Sequence, residues 1–562
     1  MKQWITKATA VCLTVGLLAS GGFAGGVEAA EKGSAKNVIL LIPDGMGISY
    51  LTATRIFKGE ELSFERYVKG LMKTYSADTN ITDSAAAGTA MATGYKTNNG
   101  VISVTPDGGQ PDSILDASRE KGKSTGLVAT SRITHATPAV FAAHDPSRGN
   151  EPALALDYIN NVDVILGGGR DMFLPVSEGG RQEERNLVAE AQEAGYDYIT
   201  NRSELGNVTS DKVLGLFGMS DLKYEIDRDL VNTPSLAEMT DLAIDVLSKN
   251  DEGFFLMVEG SQIDWAGHAN DPVALIHDML AFEDAVDVAL EYAKADGETL
   301  VVVVGDHETG GLNIGNTPGG YAENISVLSE ATGSANAVRD ALLSAADVVE
   351  LDNVRTVNGE HYVPTRQWVD KLGGSLEYHA ATNLVDINID NVPFTLNLPE
   401  QTIVAGNNVI ENGYITDNGT AYMNVRIAAD LMGVQAGIAT SQDTPGTIKA
   451  HLVDIKAVAE PITGLTLTDA DLRTLTSVNW ANAGNISNEV GTVYSAHALV
   501  SWGTRHHSGE ELPVYAYGVG AEHFVGLINN TDLPRIMSYV MGTELFEGEQ
   551  AFIDGLKERR EQ

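Results

Sequence analysis

A buried-strand pattern that ends in a turn stands near the amino terminus of the chain: Asn37-Val38-Ile39-Leu40-Leu41-Ile42, then Pro43-Asp44-Gly45. Similar apolar runs recur at residues 125–130, 162–166, 254–258, 299–304 and 514–517. Amphipathic stretches at 235–249 and 271–294 have apolar residues at three- and four-residue steps, which is typical of helices. Near-continuous apolar strands separated by helices indicate an α/β fold, with a mainly parallel central sheet covered by helices on both faces.

The composition restricts the class of function. The chain has 562 residues, of which 43% are hydrophobic and 20% are charged, and this excludes a disordered or fibrous protein. Its 77 acidic residues outnumber 37 basic ones, giving a formal net charge of −40. That excess argues against nucleic acid or an anionic membrane surface as the main partner. An anionic substrate would need a local positive centre, and a metal cluster is the natural candidate.

The first 29 residues are expected to be a signal peptide. Lys2 and Lys7 precede an apolar stretch at 8–19, and the small residues around Ala29 suit cleavage there. We therefore expect secretion, to the periplasm or the extracellular space. The single cysteine, Cys12, lies in this segment, so no thiolate is left to bind metal and no disulfide can form. No later segment is apolar enough to be a transmembrane helix.

Residues 316–489 are predicted to be a domain inserted between two parts of a catalytic domain, 30–315 and 490–562. Within about 349–434 a pattern repeats at an offset of 60: Asn358-Gly359, Tyr362, Arg366, Asp370 and Gly373 recur as Asn418-Gly419, Tyr422, Arg426, Asp430 and Gly433. Each copy predicts a turn, a short strand and a helix ended by glycine; chance similarity is the alternative. The unit resembles the N-terminal domain of copper amine oxidases and repeats of bacterial surface proteins, which would imply contact with a surface or cell wall.

Acidic and imidazole side chains follow three of the predicted strands. Each of them alone is compatible with a turn or a solvated surface. Ligands in such sheets bind beyond the carboxyl ends of the strands, so these side chains are expected to meet there. Oxygen and imidazole ligands suit zinc with magnesium or a similar metal. The set comprises Asp44, Glu259, Asp264, His268, Asp306 and His307, together with His507, which precedes the last predicted strand.

Ser84 is the candidate nucleophile. It begins the small-residue run Ser84-Ala85-Ala86-Ala87-Gly88, which predicts a tightly packed helix. A serine at this place can cap the helix, or its hydroxyl can attack an anion held at the helix N-terminus. No nucleophile-elbow pattern surrounds it, so a Ser-His-Asp triad is not expected and activation would have to come from a metal.

Six motifs in the same order resemble the metal-dependent alkaline phosphatases, over most of the chain outside the insert. They are Asp44-Gly45-Met46-Gly47, Thr82-Asp83-Ser84-Ala85, His135-Ala136-Thr137-Pro138-Ala139, Val258-Glu259-Gly260-Ser261-Gln262-Ile263-Asp264-Trp265-Ala266-Gly267-His268, Asp306-His307-Glu308-Thr309-Gly310-Gly311 and His507-Ser508-Gly509.

The resemblance implies two zinc ions and one magnesium ion per chain. One zinc would be held by Asp264, His268 and His507, with His506 as a rival for the last position. The second would be held by Asp44, Asp306 and His307 and would also contact Ser84. Magnesium would be held by Asp44, Thr137 and Glu259. Arg148 would clamp the phosphate, and a guanidinium fits two phosphoryl oxygens.

Two positions depart from the pattern of many family members, which have Asp in place of His135 and Lys in place of Trp265. The combination resembles a bacterial subgroup of marine and cold-active enzymes. Both residues are expected beside the substrate, where they bear on the third metal and on retention of phosphate.

The implied function is hydrolysis of small phosphate monoesters through a phosphoserine on Ser84, releasing inorganic phosphate. A phosphodiesterase or sulfatase of the same superfamily, and a surface-binding protein with secondary phosphatase activity, are the alternatives. Family members are commonly homodimers, but an insert of this size could form or block that interface.

Overall fold

The computed structural model of the chain describes residues 31–315 and 320–561. The predicted signal peptide, with Cys12, lies outside the described residues. The strands are β1 (Asn37–Pro43), β2 (Val68–Lys73), β3 (Ser124–Arg132), β4 (Val164–Gly168), β5 (Asp197–Ile199), β6 (Val213–Leu216), β7 (Phe254–Gly260), β8 (Thr299–Val303), β9 (Glu308–Thr309), β10 (Leu312–Ile314), β11 (Asp347–Leu351), β12 (Arg355–Val357), β13 (Glu360–Pro364), β14 (Ser375–His379), β15 (Leu384–Ile389), β16 (Val392–Asn397), β17 (Thr402–Ala405), β18 (Asn408–Glu411), β19 (Tyr414–Asp417), β20 (Thr420–Asn424), β21 (Gln435–Thr440), β22 (Ile448–Val453), β23 (Val500–Trp502), β24 (His507–Ser508), β25 (Leu512–Gly518) and β26 (Gly526–Asn529).

The α-helices are α1 (Ile48–Lys58), α2 (Ser84–Thr93), α3 (Ile114–Glu120), α4 (Ala136–Ala142), α5 (Glu151–Leu154), α6 (Arg170–Phe173), α7 (Leu187–Glu193), α8 (Leu236–Leu247), α9 (Gln262–Ala269), α10 (Pro272–Asp296), α11 (Ala335–Ala345), α12 (Thr365–Lys371), α13 (Val425–Leu431), α14 (Ile455–Thr463), α15 (Asp469–Thr476), α16 (Ala483–Ala498), α17 (Asp532–Met541) and α18 (Glu549–Glu561). None of the described helices is both long enough and apolar enough to cross a membrane.

A ten-stranded sheet organises the α/β part, in the order β26-β2-β25-β8-β1-β7-β3-β4-β6-β5. The run from β8 to β5 is parallel, and β25 pairs antiparallel with both β8 and β2. Strand β1 lies in the middle, between β8 and β7, and is completely buried. The predicted fold class is therefore confirmed.

Helices cover both faces of this sheet because alternate side chains of the buried strands point to opposite sides. Ile39 and Leu41 of β1 belong to one core, together with apolar residues of α8 and α10. Leu40 belongs to the other core, which includes residues of α2, α4 and α17. In α2 a Cβ at Gly88 would lie 2.9 Å from Val140 Cγ2 on α4, so the close approach of these two helices requires glycine.

The predicted insert region forms antiparallel sheets of its own. Within it, strand β11 pairs antiparallel with β22, so the two ends of the chain between these strands, residues 352–447, lie side by side. Between them are the sheets β12-β13-β20-β19 and β14-β15-β16-β17-β18, with a separate apolar core that includes Trp368 and Phe394. The limits 316–489 stay a prediction.

The two copies of the repeat are neighbours in this region. Asn358-Gly359 and Asn418-Gly419 have positive φ at both residues, as tight hairpin turns require. They lead into β13 and β20, which pair antiparallel, and then into α12 and α13. Each copy thus has the turn, strand and helix that its pattern predicts.

Candidate active site

The candidate site lies at the carboxyl ends of the central strands. Asp44 directly follows β1, Glu259 is near the end of β7, and Asp306 and His307 come just after β8. Because these three strands are adjacent and parallel, their ends meet at one edge of the sheet. All four side chains are buried. The sequence-predicted juxtaposition of these residues is present in the structure.

Asp264, His268 and His507 form the first of two clusters of potential metal ligands, which we call group one. Asp264 and His268 lie one turn apart on α9, while His507 comes from β24. His268 Nε2 lies 3.4 Å from Asp264 Oδ2 and 3.2 Å from His507 Nε2, and His507 Nε2 lies 3.6 Å from Asp264 Oδ1. The neighbouring His506 is exposed and outside the group.

Backbone carbonyls orient both histidines of group one. His268 Nδ1 lies 2.7 Å from the carbonyl oxygen of Arg505, and His507 Nδ1 lies 2.8 Å from that of Thr82. A carbonyl can only accept, so each Nδ1 carries the proton and each Nε2 presents a lone pair to the cluster. Histidines that bind metals in proteins are commonly oriented in this way.

Asp44, Asp306 and His307 form the second cluster, group two. His307 Nε2 lies 3.2 Å from Asp306 Oδ2 and 3.6 Å from Asp44 Oδ1. Asp306 Oδ1 accepts hydrogen bonds from the backbone N–H groups of Gly45 and His307, at 3.1 and 2.9 Å. These bonds turn Asp306 Oδ2 toward the cluster. The two groups touch where the rings of His307 and His507 stack, with centroids 3.6 Å apart.

Burial makes the charges of this cluster costly in the absence of a cation. It raises the pKa of Glu259 to about 8, and burial together with the charge of Asp264 raises the pKa of Asp306 to about 6. Burial and the neighbouring carboxylates raise the pKa of Asp44 well above its usual value. Burial and the nearby His507 and His268 lower the pKa of His307.

The hydrogen bonding of these carboxylates fits metal ions. Asp44 Oδ1, Asp306 Oδ2 and both oxygens of Glu259 are buried and receive no hydrogen bond from the described residues. Buried polar atoms are normally satisfied, and carboxylates without donors are satisfied by cations. Oxygen and imidazole donors suit zinc or magnesium.

Thr137 and Glu259 are both neighbours of Asp44. Thr137, on α4, donates from Oγ1 to Asp44 Oδ2 at 3.1 Å. Glu259 belongs to neither group of three, but its charge contributes to the raised pKa of Asp44. The three residues expected to bind magnesium are thus neighbours.

Ser84 is the first residue of α2, and its Oγ lies 3.2 Å from His307 Nε2. The possibility that Ser84 caps the helix is wrong. Asp83 is the N-cap, with Oδ1 accepting from the N–H of Ala86 at 2.9 Å, so the Ser84 hydroxyl is free to face group two. The signal for this cap was present in the sequence, because Asp directly before a helical run is a preferred N-cap.

Arg148 lies at the rim of the same site. Its Nη1 donates to Asp83 Oδ2 at 2.9 Å, and its Nη2 lies 3.2 Å from His135 Nε2. The ring of Trp265 packs edge-on against His135, with centroids 5.7 Å apart. Burial and the charges of Arg148 and Arg132 lower the pKa of His135. Arg148, His135 and Trp265 therefore form one connected surface beside Ser84.

Comparisons with known proteins identify the family of the chain. The sequence model of the alkaline phosphatase family matches residues 35–367 and 432–543. The chain belongs to the alkaline phosphatase family. It is 34% identical over 555 residues to alkaline phosphatase 4 of Bacillus subtilis, covering 94% of this chain and 95% of that protein. The expectation of an alkaline phosphatase enzyme is therefore confirmed.

Solved alkaline phosphatases share the fold. The cold-active enzyme from Shewanella sp. superposes with a TM-score of 0.65 at 26% identity, covering 90% of this chain and 99% of that one. The Thermus thermophilus enzyme superposes with a TM-score of 0.67 at 23% identity, covering 94% and 96%. The family match omits residues 368–431, which lie within the predicted insert of this alkaline phosphatase.

Two residues near the reacting centre of this alkaline phosphatase had no predicted role. Asp83 holds both the start of α2 and Arg148, and it also accepts from the N–H of Gly100 at 2.9 Å. Thr309 contacts ligands of both groups. No local pattern predicts the contact of Asp83 with Arg148 or that of Thr309 with Asp264, because the partners are far apart in the sequence.

Proposed function

We propose that the chain hydrolyses phosphate monoesters through a phosphoserine formed on Ser84, in a site that binds two zinc ions and one magnesium ion. The observation that carries this proposal is the position of the Ser84 hydroxyl. It projects from the start of α2, 3.2 Å from His307 Nε2 of group two, on the side of the site where Asp83 holds Arg148. This arrangement supports a site in which the Ser84 hydroxyl, the candidate metal ligands and the Arg148 guanidinium surround one position for phosphorus.

The ligand sets proposed for the metals follow the two groups. Asp264, His268 and His507 would hold one zinc, and Asp44, Asp306 and His307 the other. Magnesium would be held by Asp44, Thr137 and Glu259. When bound, these cations would offset the buried negative charge, stabilise the ionised hydroxyl of Ser84 and polarise the phosphoryl group.

The reaction requires an oxygen–phosphorus bond to form at Ser84 Oγ, which gives up its proton, while the bond to the leaving group breaks and its oxygen takes up a proton from water to become the alcohol. The start of α2 points its partial positive charge at the incoming phosphate. The Arg148 guanidinium, held by Asp83, would donate to phosphoryl oxygens as they become more negative. Water then attacks phosphorus, the bond to Ser84 breaks, and inorganic phosphate leaves.

His307 offers a second route to an activated hydroxyl. Its pKa is lowered, so the ring is neutral near pH 7, and its Nε2 is within hydrogen-bond distance of Ser84 Oγ. On that alternative the ring itself accepts the proton of Ser84, and activity would survive metal removal. The buried carboxylates without donors favour the metal route instead.

Phosphate monoesters are proposed as substrates, in preference to diesters or sulfate esters, for two reasons. Alkaline phosphatase 4 of Bacillus subtilis is similar to this chain over 95% of its own length. In addition, the Arg148 guanidinium suits a terminal phosphoryl group with two free oxygens. His135 and Trp265, beside Arg148, are proposed to contact the substrate and to tune the third metal, as in the predicted bacterial subgroup.

The proposal also covers export of the protein, its assembly and the role of the insert. The signal-peptide pattern at 1–29 supports export to the periplasm or beyond, with cleavage near Ala29. The pairing of β11 with β22 supports an insert that is carried without rearranging the central sheet. Contact of the insert with a surface or cell wall is proposed from the resemblance of its repeat alone. A homodimer is proposed from the family resemblance alone.

Rates on p-nitrophenyl phosphate, bis(p-nitrophenyl) phosphate and p-nitrophenyl sulfate test the function. We expect the monoester to be hydrolysed fastest, with activity lost in chelator and restored by zinc and magnesium. Ser84→Ala should lower turnover by roughly 10³-fold or more with normal metal content, whereas Ser118→Ala, a buried serine on α3, should not.

Mass spectrometry after a mildly acidic quench should find phosphate on the peptide that contains Ser84. Full activity of Ser84→Ala would overturn the nucleophile, and full activity in chelator would favour the route through His307. A higher rate on the diester or the sulfate would overturn the substrate class.

A further inference from the structure

Thr309 is a buried residue of β9 that occupies a junction between the two groups. Its N–H donates to the carbonyl oxygen of Gly45, the residue after Asp44, at 3.0 Å. Its own carbonyl accepts from the hydroxyl of Tyr50 on α1. In the ladder between β9 and β24 it is paired with His507. The backbone of Thr309 is thus attached to segments that carry ligands of both groups.

The Thr309 hydroxyl makes two contacts of different kinds. It donates from Oγ1 to Asp264 Oδ1, and Oγ1 lies 3.3 Å from His307 Nδ1. An ionised carboxylate can only accept, so the hydroxyl proton points to Asp264. The oxygen lone pair is then left for His307, whose Nδ1 must carry the ring proton.

This hydrogen bond fixes the tautomer of His307. With the proton on Nδ1, the unprotonated Nε2 faces Asp306 Oδ2 and Ser84 Oγ, each 3.2 Å away. The histidines of group one obtain the same tautomer from backbone carbonyls. His307 obtains it from a side chain, which a single substitution can remove.

The site is built closely around Thr309. A Cβ at Gly45 would lie 2.9 Å from Thr309 Oγ1, and a Cβ at Gly267 would lie 3.0 Å from Thr309 Cγ2. These two glycines leave room for the hydroxyl on one side and the methyl on the other. The side chain therefore has little freedom to turn its hydroxyl elsewhere.

We propose that Thr309 is a positioning residue that couples the two metal groups, by orienting the carboxylate of Asp264 in group one and setting the tautomer of His307 in group two. This inference rests on the proposed metal site. Because one hydroxyl serves both groups, its loss weakens metal binding at both of them. Partners that orient metal ligands typically contribute about 10- to 100-fold to metal affinity.

Two pairs of variants isolate the hydroxyl from the packing. Threonine and Thr309→Val differ by the exchange of the hydroxyl for a methyl group. Thr309→Ser and Thr309→Ala differ by the same oxygen in a smaller side chain. Zinc content by elemental analysis, zinc affinity by competition with a chromogenic chelator, and turnover of p-nitrophenyl phosphate are measured on all four full-length proteins, with circular dichroism to confirm folding.

The chelator is expected to remove the two proposed zinc ions in two phases, one for each group. We expect Thr309→Val and Thr309→Ala to bind zinc about 10- to 100-fold more weakly in both phases. Thr309→Ser should stay within about threefold of the unsubstituted protein, because it keeps the donor and acceptor. If Thr309→Val does not fold, the comparison of Ser with Ala decides the question alone.

Three results would overturn the coupling role. They are an unchanged zinc affinity in Thr309→Ala, an equal loss in Thr309→Ser and Thr309→Ala, and weakening in only one phase. If the proposed metal site itself is wrong, the result is distinguishable, because the unsubstituted protein would then bind no zinc and would keep its activity in chelator.

Discussion

Removal of bound metal is predicted to make the stability of this enzyme fall as the pH rises from 6.5 to 8.5. Glu259 is completely buried near the end of β7, and without a cation its pKa is raised from 4.5 to about 8. In the unfolded chain the same carboxyl group is ionised throughout this window. The folded state therefore binds a proton that the unfolded state does not, so the free energy of unfolding falls with rising pH until the folded pKa is passed, where the decrease levels off.

The size of the effect follows from the two pKa values of Glu259. Integrating the proton-binding difference between pH 6.5 and 8.5 gives a loss of about 2 kcal/mol in the free energy of unfolding. Asp44, whose pKa is also raised, changes stability in the same direction. For a chain of this length the loss corresponds to a decrease of about 2 °C or more in the unfolding temperature.

The assay is thermal unfolding of metal-free and metal-loaded protein across the same pH series. At each pH, the unfolding temperature of the metal-free protein is compared with that of the metal-loaded protein. Lys96, with a pKa lowered to about 8 by burial, and the buried Asp278 titrate outside the site and affect both forms. Bound cations keep Glu259 ionised, so the metal-loaded protein should not show its contribution.

Glu259→Gln is the matched control, because it keeps the shape of the side chain and removes the titration. In metal-free protein it should remove about 2 kcal/mol of the pH dependence. A metal-free protein whose stability varies with pH in parallel with the metal-loaded form would refute the reasoning. So would an unchanged pH dependence in metal-free Glu259→Gln.

His507→Ala is expected to lose about one zinc per chain while His506→Ala keeps both, because only His507 lies in group one; elemental analysis showing the reverse would contradict this assignment. Arg148→Lys should lower kcat/KM for p-nitrophenyl phosphate by about 10-fold or more with normal metal content, since lysine lacks the planar fork. An unchanged kcat/KM would argue against the clamp. Replacing 352–434 by a Gly/Ser linker should leave turnover within about twofold, because β11 and β22 remain paired. A folded, metal-loaded deletion protein without activity would show that the insert contributes to the site.

Most of the central fold could be predicted because its signals are local. The buried strands β1, β7 and β8 are continuous apolar runs, and such runs are recognisable without knowledge of their neighbours. The strands that the hydrophobic pattern did not predict are short or only half-buried. β2, with the sequence Val-Lys-Gly-Leu-Met-Lys, buries only Met72, and β5 has only three residues.

The candidate ligands were recognisable for a related reason. Asp44, Glu259 and Asp306 stand where buried strands end, and Asp264 and His268 are one helical turn apart. Each of these positions can be recognised from the few residues around it in the sequence. His507 was placed by its motif, and the structure brings it to Asp264 through the pairing of β24 with β9.

The sequence by itself determined the α/β class, the strand ends that carry acidic residues, and the turn-strand-helix form of the repeat, because periodicity and turn chemistry act over a few neighbouring residues. Only the tertiary structure decided that Asp83 holds Arg148, and that the hydroxyl of Thr309, which stands two residues after His307, also donates to Asp264. Such contacts join segments far apart in the chain. They depend on sheet register and on the space that residues such as Gly45 leave, which no local pattern encodes.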